Sequence, residues 1–487
     1  MREASAATAS QTTPLAKLGT GVTGLDAVLD GGYPESRTTM VKGGPGAGKT
    51  LFALQFLVQN ALRGAPGVFV TFEEGPEAVR LNAATLGWDL PALEAKGLLF
   101  IYRAKLDTAA VTTGQFSLDG LMAIIDGKAR AMGAKALVID AIDILMRRFE
   151  SPERVRDELN ALHDFLDRRT LTAILSIKAS DSAELAARFG FIEYMADCVV
   201  ELDHRVLDQI STRRLRVLKY RGSAFRSNEF PYVIGGDGIS LVPIGSVDLG
   251  HRPLGKPQPT GNAALDDALR GGYRRSSCVL LAGPSGSGKT TLACTFVAAA
   301  AARGERVLYI SFEEAPEALA SSVKSAGIDL GPGLRAGQLE FICRLPEATG
   351  SDEHLFQHLQ AIERHRPDHV VVDAISACVR MGSGKAPFDY VMRLVNACKE
   401  KGITCLLTNQ LQGSDPNEDL SGLGFTSLVD TLVQLRLEVG ADRLERSLVV
   451  WKARGCGHSQ HVHDLRISDD GIVLASRASS HTARSAR

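Results

Sequence analysis

The sequence predicts an α/β protein made of two tandem P-loop domains, each a mostly parallel sheet flanked by helices. Three observations carry this expectation. A glycine-rich phosphate loop occurs twice. The motifs around it return at a constant spacing. Within each copy, apolar strand-length runs alternate with helix-length segments.

The first loop is Gly43-Gly44-Pro45-Gly46-Ala47-Gly48-Lys49-Thr50, which fits G-x-x-x-x-G-K-[ST]; the second is Gly283-Pro284-Ser285-Gly286-Ser287-Gly288-Lys289-Thr290. Glycines let the backbone curl so that several N–H groups point inward at phosphate oxygens. The helix that follows adds the positive end of its dipole. Lys49 and Lys289 are expected to reach the β- and γ-phosphates, and Thr50 and Thr290 to place a hydroxyl on Mg²⁺. The nucleotide-binding stretches therefore run from Gly43 through Leu51 and from Gly283 through Thr291, with a nucleoside triphosphate and Mg²⁺ as the expected ligands. The context fits. Arg37–Val41 and Cys278–Ala282 read as strands before the loops, and Leu51, Leu54, Leu57, Val58 and Ala61 recur at helical spacing after the first.

Upstream of each loop, Thr20-Gly21, Gly24-Leu25-Asp26 and Gly31-Gly32-Tyr33 return as Thr260-Gly261, Ala264-Leu265-Asp266 and Gly271-Gly272-Tyr273, 240 residues later. Downstream, Val68–Glu74 returns as Leu308–Glu314 at the same spacing. The apolar strand ending in Asp140 returns ending in Asp373, and Lys219-Tyr220-Arg221-Gly222 returns as Lys452-Ala453-Arg454-Gly455, now 233 residues later. A deletion of seven residues accounts for the change. So long a period means two copies of one domain rather than a solenoid.

The expected strands of the first copy also include 67–72, 136–140, 171–177, 197–202 and 213–219, the last two joined by short turns as an antiparallel edge. Those of the second include 306–312, 368–373, 403–408, 430–438 and 446–452. The domains read as 16–245 and 259–476, with a Gly- and Pro-rich linker at 246–258, a disordered arm at 1–15 and a disordered tail at 477–487.

Chemistry is expected at the carboxyl ends of the strands. Asp140 and Asp373 end buried strands, where a carboxylate is costly unless it serves Mg²⁺ and its waters. Glu73-Glu74 and Glu313-Glu314 stand at a strand end, where neighbours point to opposite faces. One of each pair then faces the γ-phosphate; Glu73 and Glu313 are the expected general bases, with Glu74 and Glu314 orienting or pairing elsewhere. Lys219, Arg221, Lys452 and Arg454 lie far from their own loops, and their recurrence points to a cation supplied in trans to a neighbour's γ-phosphate.

With 487 residues, 45% hydrophobic and 23% charged, the chain has room for two to four globular domains. A net charge of −1 argues against a strongly basic nucleic-acid-binding surface. No apolar run reaches membrane-spanning length, Met1–Thr13 lacks the apolar centre of a secretion signal, and eight cysteines without a C-x-x-C spacing fit a reducing cytoplasm. His458, His461 and His463 have no partner Cys or carboxylate at ligand spacing, so they are not read as a metal site.

These doubled motifs, over residues 16 to 476, resemble the KaiC family, double-domain ATPases of the RecA superfamily that include the cyanobacterial clock protein. The resemblance implies a homohexameric double ring with ATP at subunit interfaces, a first copy that is a slow ATPase, and a second that is an autokinase and autophosphatase. It implies Glu73 as the ATPase base, Glu313 as the kinase base, and Lys219, Arg221, Lys452 and Arg454 as residues reaching across the interface. The phosphoacceptor stretch aligns with Ser421–Thr431, where Thr426 and Ser427 are the adjacent hydroxyls, with Ser421 as a third. The first copy is expected to carry no hydroxyl there, with Ala187–Glu193 in the corresponding place. KaiB-like proteins, response regulators and histidine kinases are the implied partners. A nucleic-acid-dependent ATPase or recombinase of the RecA type is the alternative.

Overall fold

The computed structural model describes residues 15–104, 118–147, 149, 151–179, 190–207, 209–242, 250–382, 384–411, 420, 423–440 and 443–476. The expected tail, nearly all of the expected arm, the first part of the expected linker, Ala187–Phe189 and Ser421–Gly422 lie outside them. The chain divides into two compact units, one made of residues up to Arg205 with Thr212–Pro243, the other of Val206–Ser211 with the residues from Ile244 on.

In the first unit a small ribbon pairs β1 (Lys17–Leu18) with β2 (Tyr33–Pro34). The main strands are β3 (Thr38–Gly43), β4 (Gly67–Thr71), β5 (Leu99–Arg103), β6 (Ala136–Asp140), β7 (Thr172–Lys178), β8 (Cys198–Leu207), β9 (Ile210–Tyr220), β10 (Phe230–Gly235) and β11 (Gly238–Leu241). They form one nine-stranded sheet in the order β11-β10-β9-β8-β3-β7-β6-β4-β5. From β8 to β5 every pairing is parallel; β9–β10 and β10–β11 are antiparallel.

The second unit repeats the plan. Its ribbon joins β12 (Pro257–Gln258) to β13 (Tyr273–Arg274). Its sheet holds β14 (Cys278–Gly283), β15 (Val307–Ser311), β16 (Leu339–Cys343), β17 (His369–Asp373), β18 (Thr404–Gln410), β19 (Thr431–Val439), β20 (Leu444–Ala453), β21 (His463–Ser468) and β22 (Gly471–Ser476). The order β16-β15-β17-β18-β14-β19-β20-β21-β22 is that of the first sheet read from its other end.

All the expected strands are present, and each sheet adds three: β5, β10 and β11 in the first, β16, β21 and β22 in the second. These are short outer strands, and a five-residue apolar run has no periodicity that separates strand from helix. The central strands are apolar throughout because helices cover both faces of a parallel sheet; β4 and β6 are buried along their whole length. The change of spacing falls between β5 and β6: β16 ends 240 residues after β5 (343 − 103), and β17 ends 233 residues after β6 (373 − 140).

The recurring residues upstream of the loops are structural. The backbone N–H of Thr20 donates to Asp26 Oδ1 at 2.8 Å, and that of Thr260 to Asp266 Oδ1 at 2.7 Å. A Cβ on Gly32 would sit 2.3 Å from the Leu18 carbonyl oxygen, and one on Gly272 2.0 Å from that of Gln258, both at positive φ, so only glycine closes the ribbon. The tyrosine that follows packs edge-on against the loop helix, Tyr33 on Phe56 and Tyr273 on Phe296, each at 5.4 Å between ring centroids. Those helices, Lys49–Leu62 and Lys289–Ala302, bury Phe52, Phe56 and Leu57, and Phe296 and Val297, under their sheets. Among the described residues, no helix is long and apolar enough to cross a membrane.

Candidate active site

Both loops leave the carboxyl end of a central strand, β3 or β14, and run into a helix whose N-cap is glycine in the left-handed region: Gly48 at φ 83° and Gly288 at φ 102°. Gly43 and Gly283, the last residues of those strands, press against backbone. A Cβ there would lie 2.4 Å from Leu202 O and 2.5 Å from Leu435 O. Gly46 and Gly286 take positive φ at the loop crest, and Ala47 and Ser287 are buried beneath it. Gly44, Leu51 and Thr291 are part-buried along the loop and first helical turn, and Ser285 is exposed. The lysines fold back on their own loops, Lys49 Nζ to Gly44 O at 2.9 Å and Lys289 Nζ to Gly283 O and Pro284 O at 2.9 and 2.8 Å. Burial pulls both amines below the usual lysine range.

The strand aspartates stand beside the loops. Asp140 is buried; Thr50 Oγ1 donates to its Oδ2 at 2.9 Å, and Ser176 Oγ of β7 donates to its Oδ1. Burial raises the Asp140 carboxyl, opposed by those two hydroxyl bonds and by Lys49. Asp373 accepts from Thr408 Oγ1 of β18 and from Tyr309 Oη of β15, the latter at 2.7 Å. Ser176 and Thr408 were not singled out from the sequence. The available signal was a second hydroxyl four residues after the opening threonine in both strands, Ser176 in Thr172–Lys178 and Thr408 in Thr404–Gln410, after three residues without a hydroxyl.

The paired glutamates lie just past the ends of β4 and β15, in turns rather than in the strands. Strand alternation therefore does not separate them. A hydroxyl does: the N–H groups of Glu73 and Glu74 both donate to Thr71 Oγ1 at 3.2 Å, and Glu314 N donates to Ser311 Oγ at 3.1 Å. Glu73 lines a cleft of about 560 Å³ with Lys49, Thr50, Asp140 and Ser176. Glu74 lines an adjoining cavity of about 490 Å³, where it accepts from Asn82 Nδ2 at 3.1 Å, between Val79, Leu54 and Ile234. In the second unit Glu313 and Glu314 share one cavity of about 210 Å³ with Cys343 and Arg344. Burial, then Asp373 and Glu313, raise the Glu314 carboxyl.

The first cleft holds charges the sequence reading missed. Asp143 is buried, accepts from Lys178 N at 3.2 Å and pairs with Arg147 at 3.2 Å. At the matching place in the second unit Ser376 Oγ accepts from Gln410 N. No spacing rule marks Asp143, because what fixes it is the neighbouring strand.

The basic pairs are not among the residues that line either cavity of the first loop. Lys219 Nζ donates to Glu193 O and Tyr194 O at 2.8 and 2.9 Å, and Arg221 to Tyr194 O at 2.9 Å. Lys452 Nζ donates to Thr426 O at 3.1 Å, and Arg454 to Ser427 O at 2.9 Å. Burial, then the adjacent arginine, lowers both lysines. These matched contacts correct the alignment of the acceptor stretch by one residue. Thr426 stands where the first unit has Glu193, and Ser427 where it has Tyr194, so the first unit carries a phenol hydroxyl there. Ser427 is exposed and Thr426 half-buried.

Behind Glu313, Phe312 packs edge-on against His354, His358 and Tyr390. His358 is fully buried, with Nδ1 2.8 Å from Tyr390 Oη, and burial, then His354 and Arg344, push it down to about 3. Between its ordinary value of about 6.5 and that point, the unfolded chain binds a proton the folded one refuses. Stability of the second unit therefore falls on acidification across this window, by at most about 1.4 kcal/mol per pH unit from this residue. Thermal melts between about pH 7 and about pH 4 should show it, and His358→Asn should flatten the dependence. An unchanged slope in the variant means other groups carry it.

The family model described as "ATPase: KaiC" matches this chain twice, at residues 18–246 and 258–479. Among curated proteins, the chain is 36% identical over 470 residues to "Circadian clock protein KaiC2" of Synechocystis, covering 96% of this chain and 82% of that one. It is 32% identical to "Circadian clock oscillator protein KaiC" of Parathermosynechococcus lividus, covering 93% and 84%. It is 30% identical to "Circadian clock protein KaiC3" of Synechocystis, covering 95% and 92%.

Proposed function

Since the chain belongs to the KaiC family of ATPases, we propose that it hydrolyses ATP in its first copy and transfers phosphate to its own Thr426 and Ser427 in its second. The observation that carries this reading is the same loop, strand aspartate and glutamate pair in both units, together with a turn, gripped by Lys452 and Arg454, that presents adjacent aliphatic hydroxyls only in the second, for the loop of a neighbouring subunit. The working domains are 16–245 and 259–476, joined by the linker 246–258.

Mg²⁺ suits the donor set of the first copy: the Thr50 hydroxyl and the Asp140 carboxylate, hard oxygens 2.9 Å apart. Thr290 and Asp373 are the corresponding pair. When bound, the ion neutralises charge on the phosphate oxygens. The residues of this chain do the rest. The loop N–H groups and the ammonium of Lys49 or Lys289 hold the phosphates, each lysine exchanging its loop carbonyls for them. The apolar cavity behind the first loop, with Val79, Leu54 and Ile234, has the walls to take a purine base. Glu73 accepts a proton from the attacking water. Glu313 accepts one from the attacking hydroxyl as the new O–P bond forms, the bond to the γ-phosphorus breaks and ADP leaves.

Lys219, Arg221, Lys452 and Arg454 meet the requirements of cations given to a neighbouring subunit, being held at a turn of their own unit away from its cleft. This supports a homohexameric ring with nucleotide between subunits. The phosphorylated state would be read by KaiB-like, response-regulator or histidine-kinase partners, making the protein a timing or signalling hub.

The test is intact mass after incubation with Mg-ATP, beside the Thr426→Ala/Ser427→Ala variant. One or two added phosphates on the parent, absent from the variant, are expected. ATP consumption without added mass would leave a plain ATPase, and the kinase half of the proposal would be lost.

A further inference from the structure

The two copies hold their strand aspartates differently. One oxygen is treated alike in both, taken by a hydroxyl from the adjacent strand, Ser176 or Thr408. The other is not. Asp140 Oδ2 accepts from Thr50 of the phosphate loop at 2.9 Å, whereas Asp373 Oδ2 accepts from the phenol of Tyr309 at 2.7 Å.

The cause is one atom in strand β15. Tyr309 pairs across to Val371, just as Phe69 of β4 pairs across to Val138, and both rings are fully buried. Phe69 has no hydroxyl. Beside the phenol, Cys294 stands where the first copy has Leu54, its thiol 4.0 Å from Tyr309 Oη. This phenol sits in the core, so solvent does not displace it, and its proton stays committed to the carboxylate.

We propose that Tyr309 is a positioning residue that weakens the magnesium hold of the second copy relative to the first, by occupying the aspartate oxygen that Thr50 engages in the first. A carboxylate that serves a cation and its waters does so through free lone pairs and charge density. A buried donor draws on both. Removing a group that orients a metal-site ligand by a hydrogen bond typically costs about 10–100-fold in metal affinity; Tyr309 instead occupies the ligand's lone pair, so a shift of that size is expected with the opposite sign. The inference rests on the reading that both copies bind magnesium nucleotide.

The experiment uses full-length chains in which one copy is silenced, by Lys49→Ala or by Lys289→Ala. Retention of a fluorescent, non-hydrolysable ATP analogue is followed as Mg²⁺ is titrated. The second copy should need about tenfold more Mg²⁺ for half-maximal retention than the first. Tyr309→Phe should remove most of that gap by tightening the second copy. The reciprocal Phe69→Tyr exchange should loosen the first. A purely structural tyrosine would give the opposite sign or no shift, and either result overturns the inference. Failure of both copies to retain nucleotide at any Mg²⁺ concentration would defeat the nucleotide reading, and this inference with it.

Discussion

Glu73→Gln is expected to slow ATP turnover in the first copy by about 10²–10⁴-fold, the usual contribution of a placed general base, with Glu74→Gln changing it by less than about threefold. Sequence places these carboxylates side by side, but they line different cavities on the two sides of Lys49 and Thr50. Glu73 opens on the one with Asp140 and Ser176, while Glu74 opens on the one with Val79 and Leu54 and is held by Asn82. The measurement is phosphate release from a chain carrying Lys289→Ala, so that only the first copy turns over. Equal losses in the two variants would mean that the pair acts as one charged patch. A loss confined to Glu74→Gln would move the base to the other residue.

Lys399→Met is expected to cost the second unit about 3–5 kcal/mol, the range for removing one partner of a buried ion pair. Lys399 Nζ lies 2.8 Å from Asp430 Oδ2 with both side chains almost fully buried, and it also donates to Leu428 O at 2.8 Å. Asp430 accepts from Cys278 N as well, which ties the acceptor turn to the first residue of β14. Removing the amine leaves a bare carbonyl next to Thr426 and Ser427, and a buried carboxylate whose remaining counter-charge is the half-exposed Arg454, 3.6 Å from its Oδ1. The first unit supplies the control. There Arg37 is 3.5 Å from Asp197 and 39% exposed, so Arg37→Met should cost less than about 1 kcal/mol. Denaturant unfolding of both variants compares the two directly. Similar losses would show that burial does not set the value of the pair.

The phosphate loops were legible because their demand is local. A backbone that must pass through positive φ at Gly46, Gly48, Gly286 and Gly288 states that need at alternate positions of one short stretch. The strand aspartates were legible because a carboxylate at the end of an apolar run is costly without a task. The Gly-Gly-Tyr repeats were visible as repeats, but their reason, a carbonyl pressed against Gly32 and Gly272, belongs to the ribbon.

Pairing between distant residues was not legible. The hydroxyls of Ser176 and Thr408 meet their aspartates across neighbouring parallel strands, more than thirty positions away in sequence (|i−j| of 36 and 35). The glutamates were read by strand alternation, yet a threonine hydroxyl had already turned the chain out of the strand. The acceptor stretch was matched to Ala187–Glu193 in the first copy, and the cations that grip its carbonyls carry the match one residue further, to Tyr194. The sequence by itself determined two copies of one α/β unit, each with a phosphate loop, a strand aspartate and a glutamate pair, since each rests on neighbours along the chain. Which glutamate meets the cleft, and whether a threonine or a phenol shares the aspartate, was decided only by the tertiary structure. Those partners are set by strand register, and a hydrogen bond across strands leaves no mark on the spacing of residues within either one.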